Sequence, residues 1–407
     1  MSPQKPLHGV RILDLSRILA GPWASQWMAD MGAEVIKIER PGRGDDTRGW
    51  GPPWHEETRD AAYFLAANRG KQSVTIDITR PEGQQLVRDL AQHCDVVLEN
   101  FKVGGLKKYS LDHESLRRER PELIYCSITG FGQDGPYAQR AGYDFLIQGM
   151  GGLMSLTGQP DEEPGGGPLK VGVALTDIFT GMYAANAVLA ALWQRERTGQ
   201  GAHIDLSLLD VQVGVLANQA QNYLTSGEVP GRMGNAHPNI VPYQAFATAD
   251  GHMILTVGND DQFARLCEHI DHPEWAADDR FRTNAARVSH RRELIALLAP
   301  VFQQRPTDAW VQRLETAGVP CGPINTMDRV FADPQVLHRG LLIERPLGPP
   351  EAGHSAQLVG NPVRFDGAPL NAELGPPQLG QQTDAVLGEL LGLSAEALDR
   401  LRAEGTI

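Results

Sequence analysis

Five short β-type segments alternate with helical segments and loops in the first third of the chain. A helix is predicted from Gly21-Pro22 to about Met31, where Pro22 suits the first helical turn, and another from Pro81 to Gln92. Strands alternating with helices predict an α/β fold, a parallel sheet covered on both faces, which binds ligands at the carboxyl ends of its strands. The predicted strands are VRILD (10–14), EVIKIE (34–39), SVTIDI (73–78), DVVL (95–98) and LIYCSI (123–128).

The pattern changes in the second half of the chain. Long helices are predicted at 180–193 and 205–224, before a linker rich in Gly, Pro, Asn and His at 227–242. The segment 243–257 predicts a hairpin that turns at Asp250-Gly251. Shorter helices are predicted at about 260–270, 291–304, 307–317 and 394–403. We predict a large domain at 1–226, a smaller α+β domain at 227–325 and a C-terminal segment at 326–407.

Charge and composition disfavour several classes of protein. The 37 basic and 50 acidic residues give a net charge of −13, which disfavours nucleic acid as a partner. Four widely spaced cysteines suggest neither a disulfide scaffold nor a zinc site. Apolar stretches such as 184–193 are shorter than the ~18 residues of a membrane span, and Arg11, Asp14 and Arg17 interrupt the only candidate secretory signal. We predict a cytoplasmic protein without a membrane partner.

Motifs of several large enzyme classes are missing. The segment after the first predicted strand, LSRILAGPWAS, lacks the glycine spacing of a dinucleotide fingerprint, and there is no P-loop. No GxSxG elbow indicates a serine hydrolase, and no HExxH indicates a zinc protease. We therefore predict no metal site, and the ligand of the sheet stays open at this point.

Asp177 is the first candidate for chemistry. It lies in VALTDIFTGMYAA, between a short apolar run and an amphipathic helix. One interpretation is an N-cap that satisfies backbone N–H groups. Another is a nucleophile, because a helix N-terminus keeps a carboxylate ionised and a poorly solvated carboxylate can attack an acyl group. The two interpretations are compatible.

Basic and amide side chains gather at the predicted strand ends. Arg40 ends the second strand, Lys71 precedes the third, and Asn100 and Lys108 follow the fourth. In an acidic chain this placement suits a ligand with several phosphates. The alternative for each residue alone is solvated surface charge.

Two loops contain further candidates. GFGQDGPYAQRAGYD (130–144) has glycines for tight turns, and Tyr143 could face a pocket or simply pack. GNAHPNIVPYQAF (234–246) opens the second predicted domain, and His237 could contact substrate or be exposed to solvent.

Nine segments together resemble the family III coenzyme A transferases, which include formyl-CoA transferase and carnitine CoA-transferase. They follow the family order over nearly the whole chain. RAGYD and NIVPYQAFATADG are most similar to the succinyl-CoA:glutarate CoA-transferase branch, which handles dicarboxylates. The nine segments are GVRILDLSRILAGP, GAEVIKIERPGRGDDTR, NRGKQSVTIDI, DVVLENF, ITGFGQDGPYAQRAGYD, VALTDIFTGMYA, RTGQGAHIDLSLLD, AGVPCGPIN and PPQLGQQT.

The resemblance implies a Rossmann-like large domain built from both ends of the chain and a homodimer of interlocked rings. It also implies acyl-CoA and a free carboxylic acid as substrates, with no permanently bound cofactor. Asp177 matches the family nucleophile, which forms an anhydride with the donor acyl group and then an aspartyl-CoA thioester. Residues assigned to CoA binding on this basis are Arg40, Lys71, Asn100, Phe101, Lys108 and Tyr143.

Two departures from formyl-CoA transferase argue against formate and oxalate as substrates. Leu19 stands where that enzyme has a glutamine, and the His237 segment replaces its glycine-rich loop. A dicarboxylate has a second carboxylate that needs a cation or several donors. Candidate groups for it are Arg17, His237 and Arg48, although Arg48 has the alternative of a structural pair with Asp45 or Asp46.

Two other functions stay open. The related α-methylacyl-CoA racemases use an Asp/His pair, but Tyr143 occupies the histidine position here, which disfavours racemisation. The third hypothesis is a CoA-binding scaffold without catalysis. The leading prediction is transfer of CoA from succinyl-CoA, or a similar donor, to a dicarboxylic acid.

Overall fold

A computed structural model describes residues 4–348 and 353–407, which group into two compact units. The first unit contains the residues up to 153, 171–221 and the residues from 334 onward. The second contains 154–170 and 222–333. Residues 154–170 thus group with the second unit, whereas the sequence analysis placed them in the large domain.

A parallel sheet of six strands forms the centre of the first unit. Its strand order is β3-β2-β1-β4-β5-β6, the order of doubly wound dinucleotide-binding folds. The direction of winding reverses between β1 and β4, which leaves a crevice at their carboxyl ends. The strands are β1 (Arg11–Asp14), β2 (Glu34–Glu39), β3 (Lys71–Thr75), β4 (Val96–Glu99), β5 (Ile124–Thr129) and β6 (His203–Ser207).

Helices cover both faces of this sheet. Successive strand residues point to opposite faces, so Ile12 and Leu13 belong to different apolar clusters. The helices of the first unit, with two at its boundaries, are α1 (Ala20–Asp30), α2 (Ala62–Ala67), α3 (Pro81–Gln92), α4 (His113–Glu119), α5 (Asp144–Met150), α6 (Leu153–Leu156), α7 (Leu175–Thr198), α8 (Leu208–Gly214), α9 (Ala217–Ser226), α16 (Pro334–His338), α17 (Thr383–Leu391) and α18 (Ala395–Ala403), with 3-10 turns at Asp46–Gly49 and Lys107–Tyr109.

The helix predicted at 205–224 is wrong in its first part. Residues His203–Ser207 form the sixth strand and pair with β5, with His203 opposite Tyr125. The chain then continues through α8 and α9. The remaining strands of the first unit are β10 (Leu342–Leu347), β11 (His354–Val359), β12 (Arg364–Phe365) and β13 (Ala368–Pro369).

Helix α7 packs closely against α1. A Cβ on Gly181 would lie 2.6 Å from the carbonyl oxygen of Ala20, so only glycine permits this approach. By length and composition α7 is the one helix in the described chain that could cross a membrane. It is longer than the apolar stretch 184–193 considered in the sequence analysis. Half of its apolar window is buried, and α7 also contacts β5.

The second unit is a small α+β assembly with its own apolar core. The hairpin predicted at 243–257 is confirmed, with β7 and β8 antiparallel and β9 beside β8. The elements are β7 (Tyr243–Ala247), β8 (His252–Thr256), α10 (Asp260–His269), α11 (Glu274–Ala277), α12 (Asn284–Ser289), α13 (Arg291–Phe302), α14 (Thr307–Thr316), β9 (Cys321–Pro323) and α15 (Met327–Ala332).

Candidate active site

A cavity of about 660 Å³ opens at the carboxyl ends of the parallel strands in the first unit. Its volume lies within the usual range of small-molecule sites, and its position is the usual one for ligands of doubly wound sheets. The lining includes residues from segments 15–20, 37–46, 76–79, 100–109 and 128–143, together with Asp177 and Leu208.

Asp177 is the third residue of α7 and reaches the cavity from the first helical turn. The N-cap position is held by Ala174, so Asp177 is not the N-cap. The capping carboxylate comes from α5: Asp144 accepts the backbone N–H groups of Thr176 at 2.9 Å and Asp177 at 3.3 Å. The Asp177 side chain therefore does not serve as the cap of its own helix.

The protonation equilibrium of Asp177 differs from the expectation. Burial, together with the nearby negative charge of Asp144, raises the pKa of Asp177 to about 7. The sequence argument that a helix N-terminus keeps this carboxylate ionised underestimated both effects. Near neutral pH, Asp177 exists in both forms, so it is a more basic carboxylate than an exposed one.

Tyr63 of α2 belongs to the same electrostatic surroundings. Burial raises the pKa of Tyr63 to about 12, and the negative charges of Asp177 and Asp144 contribute. The sequence analysis did not single out Tyr63. No spacing pattern distinguishes this tyrosine from a packed residue of an amphipathic helix.

Six exposed cationic side chains line the cavity, although the chain as a whole has a negative net charge. Arg40 and Lys108 were predicted from the sequence, and the Lys108 ammonium lies 4.5 Å from the ring centroid of Tyr109. Arg140 was not predicted; its guanidinium lies 4.7 Å from the ring centroid of Tyr137. The six are Arg17, Arg40, Arg43, Lys102, Lys108 and Arg140.

Asn100 and Phe101 line the cavity directly after β4. The Asn100 side chain binds the backbone of Arg17 twice: Oδ1 accepts its N–H at 2.9 Å, and Nδ2 donates to its carbonyl at 2.7 Å. The Arg17 guanidinium lies 5.4 Å from the Phe101 ring centroid and pairs with Asp46 at 3.1 Å. The loops after β1 and β4 therefore form one joined wall.

The turn after β1 contains a strained residue. Ile18 has a φ of 74°, a left-handed conformation that a β-branched residue rarely adopts. Its N–H points at the buried carboxylate of Asp45, 3.3 Å away. Leu19 follows as the N-cap residue of α1 and lines the cavity.

The assignment of Lys71 to CoA contact requires correction. Its side chain is fully buried and is absent from the cavity lining. The ammonium donates to Asp14 at 3.3 Å, to the carbonyl of Pro22 at 3.0 Å and to Asn68 at 2.9 Å. Burial lowers the pKa of Lys71 to about 7 against the opposite effect of Asp14. Lys71 is part of the polar interior beneath the site.

The assignment of Arg48 to the substrate requires the same correction. Arg48 is buried, binds both oxygens of Glu39 at 2.7 and 2.8 Å, and pairs with Asp60 at 2.9 Å. Its structural partners are thus not Asp45 or Asp46. Asp45 instead pairs with the buried Lys37 at 2.9 Å; burial alone would raise the pKa of Asp45, but Lys37 and the Thr47 N–H lower it to about 2.

Tyr143 and His237 lie in different units. Tyr143 lines the cavity, is 64% exposed and directly precedes Asp144. His237, in the second unit, accepts the Asn239 N–H through Nδ1 at 3.1 Å. Burial and the charge of Arg291 lower the pKa of His237, so the neutral ring has its N–H at Nε2. Among the described residues, no group of three or more His, Cys, Asp or Glu could hold a metal ion.

Known proteins similar to this chain were identified by sequence and by structure. The family model "CoA-transferase family III" matches residues 7–383. The succinate–glutarate CoA-transferase of Agrobacterium fabrum is 52% identical over 389 residues, covering 95% of this chain and 96% of that protein. Human succinyl-CoA:glutarate CoA-transferase is 44% identical, covering 100% and 91%. A crystal structure of a CAIB/BAIF family protein from Brucella suis has 52% identity and a TM-score of 0.83, covering 95% of this chain and 100% of that one.

Proposed function

The chain belongs to CoA-transferase family III, and on that basis we propose that it moves coenzyme A from succinyl-CoA to glutarate or a similar dicarboxylic acid. The observation that carries the proposal is Asp177, a half-buried carboxylate in a cation-lined cavity at the carboxyl ends of a parallel sheet. The names of the two glutarate-linked relatives support this donor and acceptor.

The first half-reaction begins at Asp177. Its ionised carboxylate attacks the thioester carbonyl of succinyl-CoA, the C–S bond breaks, and a mixed anhydride and CoA thiolate result. The thiolate then attacks the aspartyl carbonyl of the anhydride, which gives an aspartyl-CoA thioester and releases succinate. Each step exchanges one acyl bond for another, so the covalent intermediates divide one difficult transfer into easier displacements.

The second half-reaction repeats these steps in reverse order. The acceptor carboxylate attacks the aspartyl thioester and forms a new anhydride, again releasing the thiolate. The thiolate attacks the acyl carbonyl of the acceptor, which leaves as its CoA ester and restores Asp177. The pKa of about 7 supports this role, because a substantial fraction of the carboxylate is ionised at neutral pH and the ionised form is more basic than that of an ordinary aspartate.

A panel of free acids with succinyl-CoA as donor, read by mass spectrometry, tests the function. We expect new CoA esters with glutarate and related dicarboxylates and little product with formate or oxalate. Exchange of Cα hydrogen for deuterium without any acceptor acid would instead indicate a racemase. CoA binding without either reaction would indicate a scaffold. A cytoplasmic location and an interlocked homodimer remain predictions.

Arg40→Ala is expected to weaken every CoA ester without changing the order of acyl preference. Arg40 is an exposed cation at the end of β2, where the phosphates of a nucleotide would lie. Losing a charge-assisted hydrogen bond costs about 1.5–3 kcal/mol. Calorimetric titration with CoA measures this loss, and Arg118→Ala, an exposed arginine of α4, is the matched control. A changed acceptor preference with unchanged CoA affinity would contradict the assignment.

Arg17→Gln and His237→Ala separately test the two candidate groups for the second carboxylate of the acceptor. Arg17 reaches the cavity as an exposed guanidinium, and the neutral His237 ring has an N–H at Nε2. Each change is expected to raise KM for a dicarboxylic acceptor about tenfold or more, and to change KM much less for a monocarboxylic acid of equal length. Equal losses for both acids would assign these residues to structure or to CoA.

Asp144→Asn is expected to move the acidic limb of the pH–rate profile to lower pH. The charge of Asp144 favours the neutral form of Asp177, so removing that charge lowers the pKa of Asp177 and keeps it ionised in more acidic buffer. Asparagine retains an oxygen for the two N–H groups of α7. Asp210→Asn on α8, an exposed acid, is the control, and an unshifted limb would show that Asp144 does not set the pKa of Asp177.

A further inference from the structure

Glu99 is the last residue of β4 and is buried, with 6% of its surface exposed. Its Oε2 accepts the backbone N–H of Phe101 at 2.7 Å. Its side chain does not line the large cavity, whereas Asn100, Phe101 and Lys102 do. The turn Asn100–Val103 therefore has the large cavity, the proposed CoA site, on one side and the Glu99 side chain on the other.

Two sets of bonds hold this turn. On one side the Asn100 amide is joined to the backbone of Arg17 by two hydrogen bonds. On the other side the Glu99 carboxylate binds the next backbone N–H, that of Phe101. This backbone sets the direction in which the Phe101 and Lys102 side chains leave the chain.

A second, smaller cavity of about 190 Å³ lies on the Glu99 side of the turn. Phe101 and Lys102 line both cavities, so the turn is the partition between them. Ser127, opposite Glu99 in the sheet, lines the small cavity, and its hydroxyl lies 3.1 Å from His203 Nε2.

The charge of Glu99 has no cationic partner at bonding distance: no salt bridge within residues 4–348 and 353–407 includes Glu99. Burial raises the pKa of Glu99 to about 7, against the hydrogen bonds of Ser127 and the Phe101 N–H. A buried carboxylate without a cation costs stability, and a neutral glutamine would fill the same space without that cost.

We propose that Glu99 is a positioning residue for acyl-CoA, whose carboxylate fixes the turn Asn100–Val103 so that Asn100, Phe101 and Lys102 meet the CoA moiety. The proposal rests on the proposed function. A carboxylate binds a backbone N–H about twice as strongly as a neutral acceptor does. The ionised carboxylate therefore lowers the folding stability, but it holds the CoA-binding turn more rigidly.

Glu99→Gln and Glu99→Ala test this role by calorimetric titration with CoA at pH 8, together with steady-state kinetics and thermal unfolding. We expect Glu99→Gln to raise the Kd for CoA and the KM for acyl-CoA about three- to tenfold, and Glu99→Ala to raise both more than about tenfold. The KM for the acceptor acid stays unchanged. The Tm of Glu99→Gln at pH 8 equals or exceeds that of the wild type, because a buried charge is removed.

Glu114→Gln is the matched control, since Glu114 lines the same small cavity but pairs with Lys107 instead of the turn. We expect it to leave Kd, KM and kcat unchanged. CoA affinity within twofold of the wild type in both Glu99 variants would overturn the inference, as would a Tm of Glu99→Gln that falls together with its CoA affinity. If the wild type itself does not bind CoA, the proposed function fails first.

Discussion

Asp177→Ala is expected to lower CoA exchange by about 10³-fold or more, because the proposed mechanism forms both the anhydride and the thioester on this carboxylate. CoA binding should persist, since the six cations of the cavity and the turn after β4 are untouched. Initial rates with succinyl-CoA and glutarate measure the first effect, and calorimetric titration with CoA measures the second. Asp177→Asn keeps the shape of the side chain and should be equally inactive.

Asp210→Ala provides the matched control, as an acid in the first turn of α8 that is exposed and not part of the cavity lining. It should exchange CoA at the wild-type rate. Substantial residual turnover in both Asp177 variants would remove Asp177 from the mechanism. Loss of CoA binding together with activity would show that the substitution damages the site as a whole.

Lys71→Met is expected to lower the free energy of unfolding by about 3–5 kcal/mol, because it leaves the fully buried Asp14 without its ammonium partner. Lys37 lies close enough to affect Asp14 as well, but its own salt bridge is to Asp45. The affinity of the folded protein for CoA should be unchanged, because Lys71 does not reach the cavity. Denaturant unfolding and CoA titration measure the two quantities.

Lys108→Met is the counterpart in the same experiment. Lys108 is exposed and lines the cavity, so its loss should weaken CoA binding and leave unfolding nearly unchanged. If Lys71→Met weakened CoA binding in the folded protein while stability stayed constant, the placement of Lys71 in the interior would be contradicted. Comparing the two variants distinguishes the effect of a buried lysine from that of a lysine facing the ligand.

The alternation of strands and helices was sufficient to predict the parallel sheet but not its full extent. Each of the five predicted strands overlaps a strand of the sheet. The third ends earlier than predicted, at Thr75, and residues 76–79 line the cavity. The sixth strand was missed because HIDLS runs directly into α8. The apolar residues Ile204 and Leu206 of this strand, with Leu208 at the start of α8, fit both a strand and a helix.

Strand-end placement predicted which segments meet at the cavity, but not which side chains face it. Arg40, Asn100 and Lys108 line it, whereas Lys71 and Arg48 point into the interior. Their buried partners, Asp14 and Glu39, come from β1 and β2, and no local pattern reveals such long-range pairs. Arg140 was missed because it lies in a loop without periodicity.

The raised pKa of Asp177 likewise depends on long-range contacts that no local sequence pattern reveals. The first helical turn was correctly recognised as its location, and the helix dipole alone favours the ionised form. The opposing effect comes from burial and from Asp144. Asp144 precedes Asp177 by 33 residues in the chain and caps the same helix. The balance between these effects depends on tertiary contacts.

The proposed role of Asp177 as nucleophile is tested by locating the covalent intermediate. The enzyme is mixed with succinyl-CoA, without acceptor acid, and treated with hydroxylamine, which converts an aspartyl anhydride or thioester into a hydroxamate. Peptide mass spectrometry then identifies the modified residue. We predict a hydroxamate on Asp177 that requires succinyl-CoA and is absent from Asp177→Asn. Turnover with an unmodified Asp177, or with the hydroxamate on another carboxylate, would contradict the account.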